Sequence, residues 1–352
     1  MKSLNILAAL IILLCIVACS TEFDLNSDYK EIAVIYGLLD IKQDEQYIRI
    51  TRAVIDEDTP APELAQNAEL LYFQNEEVVI KEYTSSSKNN LLNTFTLDKV
   101  NAADPANGIP GKEEGFFVDD PYWVYRLDEG ISRENYYVLE LTTDDGNLVT
   151  AETEPVDTFV VTRPKTGQNF NLLAEVSTIK WQPAPNGVIY DCELNFTYRE
   201  EANNDPSDFE IKTLVMNIFR NLDGDNPQFL DGSVITFPFK PEDFYAFLAN
   251  NIDATNASDF KRIAESVSLT FYAGGKELQN LYEVNLSQQS GLTGGSVSPS
   301  YTNIDEGLGI LSSRVKLSVF PDIAPAVIER LVCGDVTSDL GFDSGDITLN
   351  CD

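Results

Sequence analysis

Nucleophiles, acids and metal ligands in this 352-residue chain can be weighed by type and spacing before any element is assigned. Histidine is absent. That removes Ser-His-Asp and Cys-His catalysis, imidazole acid–base chemistry and every His-ligated zinc, iron or copper centre. Two fragments imitate a serine acyl-enzyme: Ser85-Ser86-Ser87-Lys88 has the S-x-x-K spacing and Lys165-Thr166-Gly167 the K-T-G element. The mechanism needs that serine on the first turn of a buried helix, with an S-D-N element opposite. Here the first fragment sits in a polar turn after a strand pattern and S-D-N is missing, so the match is a coincidence of spacing. Adjacent carboxylates such as Glu113/Glu114, Asp119/Asp120 and Asp144/Asp145 could serve glycoside hydrolysis, but with 57 acids in the chain such neighbours carry no diagnostic value. Oxygen ligands for Ca²⁺ are offered by Asp223-Gly224-Asp225-Asn226 and by the tail residues Asp335, Asp339, Asp343 and Asp346. Neither set has EF-hand spacing, and the first reads as a turn. Cys192 falls on the apolar face of a strand pattern, as an inert buried thiol does. Cys333 and Cys351 bracket 17 residues and can pair in an oxidising compartment. No enzyme is expected, no cofactor is called for, and Ca²⁺ is the one candidate ion.

Charge narrows the partners. Twenty-four Lys and Arg against 57 Asp and Glu give a net −33, which excludes nucleic acid and anionic lipid as partners, because both are held by clustered cations. An apolar fraction of 43% with 23% charged residues marks a globular chain rather than a disordered one. At the N-terminus, Lys2 precedes an unbroken apolar run over residues 6–18. Thirteen residues make a signal-peptide core and are too few to span a bilayer, which takes about 20. The run ends in Ile16-Val17-Ala18-Cys19-Ser20, which resembles the bacterial lipoprotein box. In that signal the Cys thiol takes a diacylglyceryl group, cleavage falls before it, and the new amine is acylated. A thiolate is the nucleophile that such a transfer needs, and several acyl chains on one residue anchor where one would not. Cys19 is therefore the expected lipidation site. The mature chain is expected to have 334 residues (352 − 18) and a formal charge of −34 (23 − 57, Lys2 having been removed). Glu22 and Asp24 weakly resemble a surface-export signal and leave the side of the membrane open.

The elements that would position any site are mostly strands. Alternating apolar patterns occupy 46–50, 137–141 and 148–151, with Asp144-Asp145-Gly146-Asn147 as a hairpin turn between the last two. Further strands are expected over 32–38, 69–73 and 77–83. Together they predict an immunoglobulin-like β-sandwich over residues 28–156, after a tether at 19–27 and a signal peptide at 1–18. Residues 101–120 read as a long loop. Beyond a boundary near Pro155, residues 177–183 and 188–199 are similar to the second and third strands of a fibronectin type III domain, with Trp181 as core aromatic. Strands are also expected over 211–219, 267–272 and 314–320. Pro241 followed by Glu242 and Asp243 starts a helix over 241–252, with proline at the first position and acids at the positive end of the dipole. Another helix is expected over 324–331, and a helical turn over 260–264. The fold class is thus mainly β: an N-terminal sandwich, then a β-rich domain (157–352) with inserted helices.

Two motifs carry a wider resemblance. Val34-Ile35-Tyr36-Gly37-Leu38-Leu39-Asp40 followed by Gln46-Tyr47-Ile48-Arg49-Ile50, and Tyr301-Thr302-Asn303-Ile304-Asp305-Glu306-Gly307-Leu308-Gly309-Ile310-Leu311-Ser312-Ser313-Arg314, resemble signatures of an outer-membrane lipoprotein family of Bacteroidota, of the domain-of-unknown-function type. The resemblance implies a lipid-anchored outer-membrane protein, often encoded beside TonB-dependent receptors, and brings no site residues with it. The expected role is a non-enzymatic accessory or binding module of an uptake receptor. A surface glycan-binding protein is the second expectation and a carboxylate-based glycan-processing enzyme the third; a peptide ligand would suit the first. Tyr122, Trp123 and Tyr125 are the candidate ligand contacts, since aromatic rings stack on sugars, although alternating aromatics in strands more often fill a core. Gly307 and Gly309 around Leu308 predict a tight turn and close backbone approach.

Overall fold

A computed structural model describes residues 32–53, 59–109, 115–203, 205–231, 233–255, 257–289, 301–345, 349 and 351. Cys19, Glu113, Glu114 and Asp346 lie outside the described residues. The chain is mainly β. Its first half runs β1 (Ile32–Leu39), β2 (Gln46–Ala53), α1 (Ala61–Ala65), α2 (Ala68–Leu71), β3 (Glu77–Tyr83), β4 (Leu91–Thr96), β5 (Asp98–Asn101), β6 (Trp123–Leu127), β7 (Tyr136–Thr142) and β8 (Leu148–Thr153). The second half continues with β9 (Val161–Arg163), β10 (Ser177–Trp181), β11 (Ile189–Ala202), β12 (Asp205–Asp223), β13 (Leu230–Asp231), β14 (Val234–Phe239) and α3 (Pro241–Asn251). It ends with β15 (Phe260–Gly274), α4 (Lys276–Gln289), β16 (Ile304–Asp305), β17 (Gly307–Val319), α5 (Pro325–Cys333) and β18 (Phe342–Asp343).

One sheet runs through both halves in the order β12-β11-β15-β17-β1-β2-β6-β5, with β18 beside β15. A five-stranded sheet, β16-β8-β7-β3-β4, covers its β1–β6 end, and a four-stranded sheet, β13-β14-β10-β9, covers the β11–β15 end. Each stack encloses its own core. Ile35, Ile48 and Ile50 meet Val78, Ile80, Leu139 and Leu141 in the first. Tyr190, Leu194 and Phe271 meet Ile179, Trp181 and Ile235 in the second, closed below by Phe244 and Leu248 of α3 and by Val327 and Leu331 of α5. The period-2 burial along β3 and β11 is the reason these residues point inward together. Trp181 is fully buried and stacks on Phe219 with ring centroids 5.4 Å apart.

The expected partition at residue 156 is crossed by the last long strand. The first half of β17 pairs in parallel with β1, Ala33 opposite Gly307 through Leu39 opposite Ser313, while Arg314 to Val319 pair antiparallel with β15. Ile304 and Leu311 accordingly sit in the first core, not the second. Ser313 marks the crossing: its hydroxyl donates to the Leu39 carbonyl (2.8 Å) and accepts from the Val156 amide (2.8 Å), tying the end of β1 to the connection between the stacks. Glu306, at φ 59°, makes the turn, and the two glycines lie in the strand that follows.

Three local expectations are corrected. Residues 69–71 lie in α2 rather than a strand, because the Asn67 side chain accepts from the amides of Glu69 and Leu70 and caps a helical turn, and Tyr72 and Phe73 follow it outside any strand. Residues 260–264 extend β15, since the 14-residue β11 supplies a pairing partner along its full length. Helix α4 was not anticipated, although Leu278, Leu281 and Tyr282 recur at helical spacing. The helices starting at Pro241 and Pro325 stand where their proline starts place them.

Cys333, at the end of α5, is bonded to Cys351, with Cα atoms 5.3 Å apart and a sequence separation of 18. Closing a loop of that size stabilises by about 3 kcal/mol in the chain-entropy model. Cys351→Ser is therefore expected to lower the urea midpoint under non-reducing conditions and to abolish the shift that a reductant causes in the parent chain. An unchanged midpoint would show that the bridge does not restrain the tail.

Candidate functional site

A largely apolar recess opens on the outer face of the first stack. Its floor is β1 and β2, where Tyr36 lies opposite Arg49 and Val34 opposite Thr51. One wall is α1 and α2, contributing Leu64, Leu71 and Tyr72, and the other is Phe116, Phe117 and Tyr122 from the long loop before β6. The enclosed space is about 380 Å³, inside the range of small-molecule sites.

The loop wall is held by specific bonds. The Val118 amide donates to the Ala65 carbonyl (3.0 Å), and Gln66 Nε2 donates to the Phe116 carbonyl (2.8 Å). Nearer β6, Asn101 Oδ1 accepts from the Tyr122 amide (2.9 Å), and the Asn101 amide group donates to Asp120 (3.0 Å). Leu71, Tyr72 and Val118 form a small core of their own beneath the wall, with Trp123 packed against it. Phe116 and Phe117 stack edge to face, 5.6 Å apart, and about half of each remains exposed.

Two arginines give the groove its charge. Arg52 is committed to structure: it lies 5.6 Å above the Phe73 ring and donates through Nη2 to the Glu69 carbonyl, fastening α2 to β2. Arg49 stands 4.9 Å over the Tyr36 ring, and its Nε is buried without a hydrogen-bond partner. Burial raises the pKa of the nearby Tyr72 hydroxyl, with Arg49 opposing the shift in part. No Asp or Glu belongs to the described lining of the groove.

The three candidate aromatics do not form one exposed platform. Tyr122 lines the groove. Trp123 is half-buried against the cluster below it, with the Lys99 ammonium 5.7 Å from its ring centroid. Tyr125 is buried in the first core with its hydroxyl on Glu76, so it cannot stack on a sugar. Strand alternation sends Trp123, Tyr125 and Leu127 to one side of β6, and that side packs against protein. Arg49 was legible only as the polar partner between Ile48 and Ile50. Its exposure to a walled groove depends on helices and a loop that arrive from elsewhere in the chain.

The remaining chemistry candidates are structural. Lys88 pairs with Glu152 at 2.6 Å, and Ser85 bonds Ser87 within the β3–β4 turn. Thr166 accepts from the Phe320 amide. Asp223 accepts from the Asp225 amide in a local turn, and Asp343 pairs with Lys261. Among the described residues no three acids or cysteines converge as metal ligands. Cys192 is fully buried, and burial pushes its thiol well up. A second recess, of about 460 Å³, is lined by Glu200, Lys212 and Arg262, whose charges are paired with one another.

Comparison with known proteins adds little. No family model matches the chain, and no curated protein matches it. Among solved structures, the C-terminal globular domain of an oligosaccharyltransferase from Pyrococcus abyssi is similar at 10% identity over 83% of this chain, with a TM-score of 0.19. The chain spans about half of that domain's length (49%). Murine CEACAM1b is similar at 9% identity, over 83% of this chain and 100% of its own, with a TM-score of 0.15. Likeness at these scores carries no argument about function.

Proposed function

We propose that this chain is a lipid-anchored, non-enzymatic binding protein of the outer membrane, serving as accessory to an uptake receptor of the TonB-dependent kind. The walled groove carries the reading. Its described lining is aliphatic, aromatic, hydroxyl and guanidinium, groups that hold a ligand but include no general acid or base working near neutral pH. The address comes from Cys19 behind its apolar run.

Two measurements test it. Cys19→Ala is expected to leave the chain unprocessed, heavier by the 18-residue leader, and absent from the outer-membrane fraction. Unchanged mass and membrane association would dismiss the anchor. Affinity purification of the tagged lipoprotein is expected to recover a stoichiometric outer-membrane receptor, and recovery of free monomer alone counts against the accessory role.

A further inference from the structure

The groove's chemistry defines a ligand class more narrowly than binding alone, and the argument rests on the binding role proposed above. Among the described residues Arg49 is one of several arginines without an ion pair, Arg163, Arg314 and Arg330 being others, and it is set apart by lining an apolar recess. With 57 acids to 24 bases, a surface arginine has carboxylates in abundance. Arg126, Arg133, Arg199, Arg220 and Arg262 each form an ion pair. Among the described residues Arg49 forms neither an ion pair nor a hydrogen bond, and its contact is the Tyr36 ring. A buried N–H without an acceptor costs on the order of 1–3 kcal/mol, and such groups are rare enough to need a reason.

Position supplies the reason. Arg49 lies on the floor of a recess walled by Leu64, Leu71, Phe116 and Phe117. The ring of Tyr36, 4.9 Å from the guanidinium carbon, restrains the guanidinium at the recess that Arg49 lines. A second cation–aromatic grouping makes the contrast: Arg314 and Lys316 flank the Tyr272 ring at 5.3 and 5.7 Å, but neither lines one of the larger recesses. Among the described residues Arg49 joins an unmatched positive charge to an apolar recess, whereas Arg330, 4.3 Å over the Tyr245 ring, lines a more polar one.

We propose that the groove binds a small organic monoanion with a planar apolar body, its carboxylate on Arg49 and its body between the Leu64–Leu71 wall and Phe116–Phe117. Size suits the site to a small molecule, since about 380 Å³ is at the lower end of small-ligand cavities. Charge commits it to an anion, because a guanidinium fork matches a carboxylate with two parallel hydrogen bonds.

The probes are 2-naphthoate and its neutral near-isostere 2-naphthamide, titrated calorimetrically into the full lipoprotein in detergent with protein-free detergent as blank. The naphthoate is expected to saturate at one per chain and to bind about ten-fold more tightly than the amide, the scale of one charge-assisted pair. Arg49→Gln is expected to remove that ten-fold preference while leaving the amide within about two-fold. Arg49→Lys, which keeps the charge and serves if the glutamine variant folds poorly, is expected to retain part of the preference. Phe116→Ala is expected to weaken both probes alike. Equal affinity of the two probes for the parent chain, absence of saturable binding by either, or a preference that survives Arg49→Gln would each overturn the proposal. Any of these, with Cys19 processed and a receptor recovered, would remove the ligand class and leave the accessory role standing.

Discussion

Gly309→Ala is expected to lower the unfolding free energy by about 4 kcal/mol, placing it among the most damaging single-methyl additions. Gly309 has φ +103°, a conformation that an L side chain enters only with strain. An added Cβ would stand 2.0 Å from the Ile35 carbonyl oxygen and 2.9 Å from its carbon. Both atoms are backbone of the facing strand, so no rotamer change relieves the overlap. The parallel ladder between β1 and β17 must part, and it is this ladder that brings Leu311 into the first core. Two controls grade the effect. Gly307→Ala meets the Ala33 carbonyl at 2.9 Å with an ordinary φ, and a smaller loss is expected. Gly146→Ala, at φ +79° with nothing within 4 Å, isolates the conformational cost, about 1 kcal/mol. Urea unfolding of the three variants checks the order. A Gly309→Ala midpoint equal to that of Gly146→Ala would mean that the two backbones do not approach as described.

That pair of glycines also shows what is legible in a single sequence. Close backbone approach at 307–309 follows from residue type, because a glycine repeated inside an apolar pattern implies a neighbour too near for a side chain. Which neighbour follows from nothing local: Ile35 lies more than 270 residues upstream, and parallel pairing leaves no turn between partners to announce it. The same limit governs the groove. Tyr122 was visible as an aromatic in a loop and Arg49 as a polar residue on a strand, each ordinary alone. Their meeting depends on the local cap of α2 by Asn67 and on Val118 bonding Ala65, a contact that joins segments some 50 residues apart. Strands of regular alternation, such as β3 and β11, are readable because burial on one face writes a period of two into the chain. Helix α4 had the right spacing but no proline or capping residue to mark its start, unlike α3 and α5.

Removing the guanidinium of Arg262 is expected to cost about 4 kcal/mol, because breaking a buried ion pair strands its partner's charge. Arg262 is fully buried in β15. Its Nε donates to Glu200 Oε2 at 2.7 Å, Nη1 to the Leu340 carbonyl, and Nη2 to the Asp253 carbonyl at 3.3 Å. Glu200 takes a second bond on Oε1 from Lys212. One side chain thus joins β11, the end of the α3 connection and the segment leading into β18, whose Gly341 carbonyl also accepts the Arg262 amide at 2.9 Å. Arg262→Met fills the volume but leaves the two carbonyls without their donor and Glu200 with Lys212 alone. Pairing Arg262→Met with Glu200→Gln should restore part of the loss, the mark of coupled charges rather than independent packing. Protonation supplies a separate readout. Burial pushes the Glu200 carboxyl up, but the hydrogen bonds from Lys212 and Arg262 outweigh it and hold the group below its ordinary range. A carboxyl depressed on folding adds stability that is fully present above the unfolded pKa of about 4.3 and is lost as pH falls through the folded value. With Arg262 gone, burial acts against a single remaining cation, so the folded pKa rises and this contribution shrinks or changes sign. Urea midpoints across pH 3 to 7, on the order of the carboxylate range, are expected to decline at higher pH in Arg262→Met than in the parent chain. Parallel pH profiles would show that Glu200 does not depend on Arg262 for its charge, and the account of this buried pair would fail.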